Sequence, residues 1–489
     1  MASSNLPFPF LVLYFSAFFY LCVRSQGGGY IVGEISTKGI DFVKDLLIEK
    51  VEASLVPLGI SDIEKAVKIP LIGKVHMVLS NITVDSIHLG SSTVETGSSG
   101  VVVKVSGATA NLSMNWKYWY TARLIPVSIS DEGSASVQVE DMEVVLNLTL
   151  KTVEGSLAVA LVDCGCYVND ISITLVGGAS WLYQGLVDAF QSKISSAVED
   201  GVSKKINSRI VKLDSLLQSL PKEVPATDIA YLNVTLVDDP KLSESSVNVE
   251  INGLFFTKHE ITLSSHSHRS LEPSLSCEES DEMAKVSIHE KVLQSASSVY
   301  YKANKMHWIV EEAPNESLLN TSEWRFIIPQ LYKMYPNRAM NLNISASSPP
   351  TIKLEKQQVV ATTPFDVVIG VLDELGAIPI ACISTVISSS LTAEFSGNDA
   401  VTGTVKLNNF TMHLRWSDIG NLHIDLLQGI ISTMVRTVVV PYINVKFSGG
   451  YHIPAFHGYG LQRAHIHIMD SWIVICSDVA RVKQLVSII

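Results

Sequence analysis

A chain of 489 residues is too long for a single hydrophobic core, so two domains are expected. Apolar residues make up 47% and charged ones only 17%, which excludes a disordered chain, and a formal net charge of −12 without a long basic run excludes nucleic acid as a partner. The mean hydropathy of +0.28 is high for a soluble protein and calls for much buried strand or an apolar cargo.

The first predicted element is a secretory leader, residues 1–25. Its apolar run, Phe8 to Val23, is short for a membrane span, and Val23 and Ser25 are the small residues before a cut. The basic start of such a leader is missing apart from the amino terminus. Loss of Arg24 with the leader makes the remainder one charge more acidic. Eight N-x-S/T sequons agree with secretion to the extracellular space: Asn81, Asn111, Asn147, Asn233, Asn315, Asn320, Asn343 and Asn409. Five cysteines follow the leader, Cys164, Cys166, Cys277, Cys382 and Cys476, an odd number that leaves at least one unpaired or bridged between chains. Cys164 and Cys166, in DCGC, are disulfide candidates, although a bridge between them closes a very tight loop.

Residues 35–55 read as an amphipathic helix capped by Ser36, with Ile40, Val43, Leu47, Val51 and Leu55 at three- and four-residue spacing. From about 67 to 176 the period becomes two. VVVKVSG, SASVQVE, VVLNLTL, GSLAVALV and DISITL are expected as short strands, separated by Gly, Ser and Asp turns, in an antiparallel meander with one dry face. Residues 177–220 return to helical period, and Leu182, Leu186, Ala189, Phe190, Ile194 and Ala197 form one stripe. Residues 220–240, punctuated by proline, read as a linker plus an extended strand. The second half repeats the order of strand, helix, meander (about 324–415) and long apolar helix (about Leu422 to Ile443), a pseudo-repeat of about 200 residues.

Within the meander stands NWKYWYTARL (115–124). Trp116, Tyr118, Trp119 and Tyr120 lie between Lys117 and Arg123, a composition suited to a surface that is dry on one side and wet on the other. Catalytic motifs are missing: there is no G-x-S-x-G, H-E-x-x-H, Walker A loop or G-x-G-x-x-G, so an enzyme is disfavoured and no cofactor is implied. His465 and His467 alternate on one strand face, and SSHSHRS (264–270) lies near Cys277; neither has a zinc-like ligand set beside it. A dry container is the better reading. A helix stripe set against a sheet's dry face leaves a slot for an acyl chain, with Ile40, Val43, Leu47, Leu182, Leu186 and Phe190 as the candidate lining; plain core packing is the alternative.

The sequence resembles the bactericidal/permeability-increasing and lipopolysaccharide-binding protein family, its plant branch in particular. The likeness covers nearly all of the mature chain. It rests on GYIVGEISTKGIDF, VKIPLIGKVH, CGCYVNDISITL, EINGLFFT, YPNRAMNLNISASSPP and IGNLHIDLLQGIISTMV…VVVPYIN. The resemblance implies an α+β boomerang of two similar domains, each a highly twisted antiparallel β-barrel wrapped on two helices, joined by a central β-sheet. The domains would be an N-terminal lipid-binding barrel (26–220), a linker and central-sheet strand (221–250) and a C-terminal barrel (251–489). It also implies apolar pockets for lipopolysaccharide or phospholipid and an N-terminal tip that touches membrane surfaces. Lys68, Lys74, Trp116 and Lys117 match the family's tip, with Trp119 and Arg123 beside them. Asn111 and Asn115 stand where cations are expected, and Tyr118, Trp119 and Tyr120 replace polar or basic residues, so insertion is expected to matter as much as charge. The Asn111 sequon opens beside the tip. The family's disulfide joins a cysteine matched by Cys164 to a helix position that here falls near Val211, so that clamp is absent. Function is expected to be lipopolysaccharide recognition in defence, or phospholipid transport without a microbial role.

Overall fold

The computed structural model describes residues 29–69, 73–98, 100–121, 127–176, 184–258, 282–311, 319–374, 376–397, 400–453 and 458–481. The expected leader, Arg123, Leu182, residues 264–270, Cys277 and Asn315 lie outside the described residues. The chain divides into two compact units: residues 35–220 with 239–248 form one, and the rest form the other.

The first unit is entered through β1 (Ile31–Ser36) and α1 (Thr37–Leu55). The Ser36 side chain accepts the Gly39 N–H at 3.3 Å, so the helix starts where a hydroxyl can satisfy an orphan donor. β2 (Leu58–Ile60), β3 (Ile63–Ile69), β4 (Gly73–His88), β5 (Ser91–Gly97), β6 (Gly100–Thr121), β7 (Ser128–Val153) and β8 (Ser156–Val176) follow. They form one antiparallel sheet in the order β2-β4-β6-β7-β8, with β3 on β4 and β5 on β6. The expected short strands are in fact long ones of 22, 26 and 21 residues. VVVKVSG continues through to Thr121, and SASVQVE runs on into VVLNLTL. At Gly107 and Asp141 the expected turns are β-bulges, with register slipping around Ala108 where Gly107 (φ +69°) and Asp141 (φ +52°) take up the extra residues, whereas the turn expected between VVLNLTL and GSLAVALV is present at Glu154–Gly155. Bulges bend a strand without ending it, so a long strand can curve around its helix.

α2 (Gln184–Ser219) supplies that helix. Phe190, Ile194, Val198, Val202 and Ile206, four apart on one face, are all buried in a core shared with Val75, Leu79, Leu112, Trp116, Val137 and Val139 of the sheet.

Between the two meanders run β9 (Glu223–Pro225), β10 (Tyr231–Asn233), β11 (Lys241–Leu242), β12 (Ser246–Ile251) and β13 (Phe255–Phe256). β14 (Ala284–His289) enters α3 (Glu290–Lys302), as β1 enters α1. Then come β15 (His307–Val310), α4 (Pro329–Met334), β16 (Met340–Ala346), β17 (Thr351–Glu355), β18 (Gln358–Asp373), β19 (Gly376–Ser396) and β20 (Ala400–Ser417). The apolar helix α5 (Ile424–Ser448) and β21 (Tyr451–His452), β22 (Tyr459–Met469) and β23 (Trp472–Arg481) close the chain. The remaining sheets have the orders β15-β16-β18-β19-β20-β21, β11-β12-β1-β14-β23-β22 and β13-β10-β9, with β17 on β18. Element order therefore repeats: strand, helix, meander, long helix.

The barrels implied by the resemblance are open sheets among the described residues, because β8 does not pair back to β2, nor β20 to β15. Helices take the open edges. On β8, Glu199 accepts the Val168 N–H at 2.9 Å, Asp214 accepts the Val159 N–H at 2.9 Å, and Gln191 donates to the Ile171 carbonyl at 3.3 Å. On β20, Gln428 accepts the Met412 N–H at 2.9 Å, Arg436 donates to the Leu407 carbonyl at 3.2 Å, and Asn444 bonds both backbone groups of Val405 at 2.7 and 3.0 Å. These side chains do for the edge strands what another strand would otherwise do. A regular helix would turn Asn444 about 160° away from Gln428. A π turn at Val435–Val439 absorbs part of that angle and brings Asn444 back onto β20.

Candidate functional site

The expected apolar lining is divided by the structure. On α1, Leu55 is buried in the core and Ile48 and Val51 pack against it, whereas Ile40, Val43 and Leu47, nearer its start, stay half-buried and outside that cluster. Lys44, on this outer half, donates to the Ser92 carbonyl of β5 at 3.0 Å and pairs with Asp45 and Asp41 at 3.1 and 3.2 Å. Burial would lower its pKa; the two carboxylates outweigh that and hold the pKa above its ordinary value. On α2, Phe190 is only 1% exposed and belongs to the packed core, so core packing holds for this residue. Leu186 lies in the same helix.

Among the described residues, the element carrying the most exposed large apolar side chains is α5, which supplied no candidate at the sequence level. Leu427 is buried and Ile431 and Val435 pack on the sheet, but Leu426, Ile430, Met434, Val438, Tyr442 and Val445 recur every three or four residues and are 37–70% exposed. The most apolar window of this 25-residue helix has a mean hydropathy of 1.5, yet only 6% of that window is buried. A soluble helix that is apolar on all sides is normally enclosed. By length and composition this one is sufficient to cross a membrane, but Gln428, Arg436 and Asn444 fasten it to β20. On the C-terminal sheet, Trp308 is 49% exposed and lies 6.2 Å from Phe365.

A hollow of about 350 Å³ beside Cys164 is lined by Leu161, Val162, Asp163, Ser203, Lys204 and Asn207, and none of the expected lining residues borders it. Its charged groups suit an alkyl chain poorly. Cys164 and Cys166 are both free, as is Cys382. On an extended strand, residues two apart are roughly 6.6 Å apart, near the upper limit for a disulfide, so this candidate bridge is not made. Burial, then the neighbouring Cys164 and Glu199, pushes the Cys166 thiol up to about 12, which leaves it unreactive. Cys476 is disulfide-bonded.

The strand pleat splits the aromatic cluster of residues 115–124. Trp116 and Tyr118 point inward, and Trp116, 1% exposed, donates its Nε1–H to the Ser134 carbonyl at 3.0 Å. Trp116 is thereby removed from the expected membrane-facing set, since alternation turns it to the core. Lys117 and Trp119 face outward. Lys117 pairs with Glu132 at 2.8 Å, and Trp119, 39% exposed, stacks on His76 with ring centroids 5.4 Å apart. Lys68 and Lys74 sit directly opposite each other on β3 and β4, both exposed and with no carboxylate partner among the described residues. Like charges facing across a strand pair repel, and an anion between them relieves the repulsion. Asn111 shares the outer face of β6 with Trp119 but is eight residues away, about 26 Å along the strand, so a glycan there need not cover the ring.

Among the other sequons, Asn81 and Asn409 are exposed, whereas Asn147, Asn233, Asn320 and Asn343 are partly buried. His465 is exposed, His467 is half-buried, and no group of three potential metal ligands occurs among the described residues.

Comparison with known proteins agrees with this architecture. Residues 39–220 match the model of the N-terminal domain of the LBP / BPI / CETP family, and residues 226–481 match that of the C-terminal domain. A BPI/LBP family protein of Arabidopsis thaliana is 48% identical over 474 residues, covering 96% of each chain. The bactericidal permeability-increasing protein of Sebastes schlegelii is 24% identical over 454 residues, covering 91% of this chain and 94% of its own. A crystal structure of lipopolysaccharide binding protein superposes with a TM-score of 0.58 at 18% identity, covering 93% of this chain and all of the other, so the two-domain fold is shared. The chain belongs to the LBP / BPI / CETP family.

Proposed function

We propose that the protein is a secreted, glycosylated lipid-binding protein that recognises bacterial lipopolysaccharide or phospholipid and acts in defence. The observation that carries this reading is the uncovered apolar stripe of α5, from Leu426 to Val445. Covering it with an acyl chain returns about 0.8 kcal/mol per CH₂, on the order of 10 kcal/mol for a whole chain. Ile40, Val43 and Leu47 on α1 offer a comparable half-covered surface in the first unit. Lys68 and Lys74 meet the anionic headgroup, and Trp119 enters the interface beside them. The reading places one lipid site in each of the domains 26–220 and 251–489, linked by 221–250. It needs no catalytic group and no cofactor.

Transport of phospholipid without a microbial role is the second reading. Glu132 favours it by neutralising Lys117 and lowering the charge available to a polyanionic lipid. Native mass spectrometry of the secreted protein, followed by extraction of its lipid, tests the shared claim; a lipid-free protein that takes up none from vesicles defeats both readings. Lipopolysaccharide binding that weakens steeply with salt, and with Lys68→Ala and Lys74→Ala together, supports the first. Binding that depends on chain length and not on headgroup supports the second.

A further inference from the structure

A second feature suited to a membrane lies at one end of the sheet containing β16 and β18. Residues 319–338 fold into a knob whose inner side is firmly held. Trp324, Ile327, Ile328, Leu331 and Tyr335 pack into the core of this unit, and Thr321, fully buried, donates its hydroxyl to the Tyr335 carbonyl at 2.6 Å and accepts the Arg338 N–H at 3.0 Å. Arg338 pairs with Asp373 of β18 at 3.3 Å. The outer side is apolar. Phe326 is 82% exposed, the most exposed of the large apolar side chains described, and Met334 is 52% exposed. The Arg325 guanidinium lies 4.7 Å from the centre of the Phe326 ring. Lys333, next to Met334, is also exposed. Asn320 is half-buried, and its side-chain oxygen accepts from the Ser322 N–H and hydroxyl at 2.9 and 2.7 Å.

We infer that this knob is a docking point for an anionic phospholipid bilayer. Three features converge on that partner. The aromatic ring is held outward by a fixed support, so its insertion costs little ordering entropy. Arg325 and Lys333 supply positive charge, opposed in the knob by Glu323, in a molecule whose net charge is −12. The stacked guanidinium keeps its charge at the phosphate level as the ring enters the acyl boundary, as amphipathic side chains do at interfaces. The inference concerns a surface separate from the acyl-binding stripes, so it stands or falls independently of them.

Flotation of the full chain with vesicles is the test, using phosphatidylcholine alone and phosphatidylcholine mixed with phosphatidylserine in equal parts. Phe326→Asp with Met334→Asp is expected to weaken binding to the mixed vesicles about tenfold, and Arg325→Gln with Lys333→Gln to weaken it severalfold and flatten its salt dependence. Thermal unfolding confirms that both variants fold. As a second readout, Phe326→Trp adds emission that shifts to the blue and is quenched by brominated lipid only when vesicles are present. Unchanged affinity in both double variants, or a tryptophan at position 326 that stays in water, overturns the inference. So does a dimer, present without lipid, that Phe326→Asp dissociates, since the patch then belongs to a second copy of the chain.

Discussion

Trp116 and Trp119 are three positions apart on one strand and face opposite ways, and that parity decides their roles. Trp116→Ala opens a cavity against Tyr118 and Gly133 and leaves the Ser134 carbonyl without its donor; it is expected to cost about 3–5 kcal/mol in urea unfolding. Trp119→Ala is expected to leave unfolding within about 0.5 kcal/mol of the parent, yet to weaken binding to anionic vesicles. His289 carries a different consequence. Its Nδ1 caps α3 by accepting the Lys291 N–H at 3.1 Å, and its ring lies edge-on to Trp472 at 4.8 Å and near Tyr30 at 5.8 Å. Burial lowers its pKa; Glu290 raises it and Lys291 lowers it further, and the net shift is downward. The unfolded chain therefore takes up the proton at a higher pH than the folded one. The contribution to stability is complete above the ordinary histidine value of about 6.5 and is lost as pH falls from there toward the folded pKa. The melting temperature is expected to fall between about pH 7 and pH 5.5, and His289→Asn, which keeps an acceptor but does not titrate, is expected to flatten that slope.

At the scale of elements, the helices protect sheet edges as well as filling the core. Glu199→Ala leaves the Val168 N–H without its acceptor and is expected to cost about 1–2 kcal/mol by chemical denaturation. It also uncovers a stretch of β8, so a greater tendency to aggregate on heating is expected, measured by light scattering. α5 behaves differently, because it is fastened by polar side chains on one face and left bare on another. Val438→Glu with Tyr442→Glu is expected to change stability little, both residues being more than half exposed, while reducing bound lipid severalfold by native mass spectrometry. Equal lipid occupancy in that variant would remove α5 as an acyl-binding surface.

At the scale of the whole molecule, the repeated order of strand, helix, meander and long helix is expected to give two lipids per chain, one for each unit, and a single bound lipid at saturation would contradict it. The sequence alone determined that order, the existence of α1 and α2, the Ser36 cap and the family, because each follows from local period, local hydrogen-bonding chemistry or motif identity. It misread the bulges at Gly107 and Asp141 as turns, since whether a glycine or aspartate bends a strand or ends it depends on the neighbouring strands. The motif NWKYWYTARL was legible as an interface composition, but not as two faces, because the identity of the buried face is set by how β6 pairs between β4 and β7. The stripe on α5 carries the same apolar residues a buried helix would carry. Only the packed chain decided that Leu427 is enclosed while Val438 and Tyr442 are left open, since exposure is a property of what lies alongside a side chain in space, and residue type limits it without specifying it.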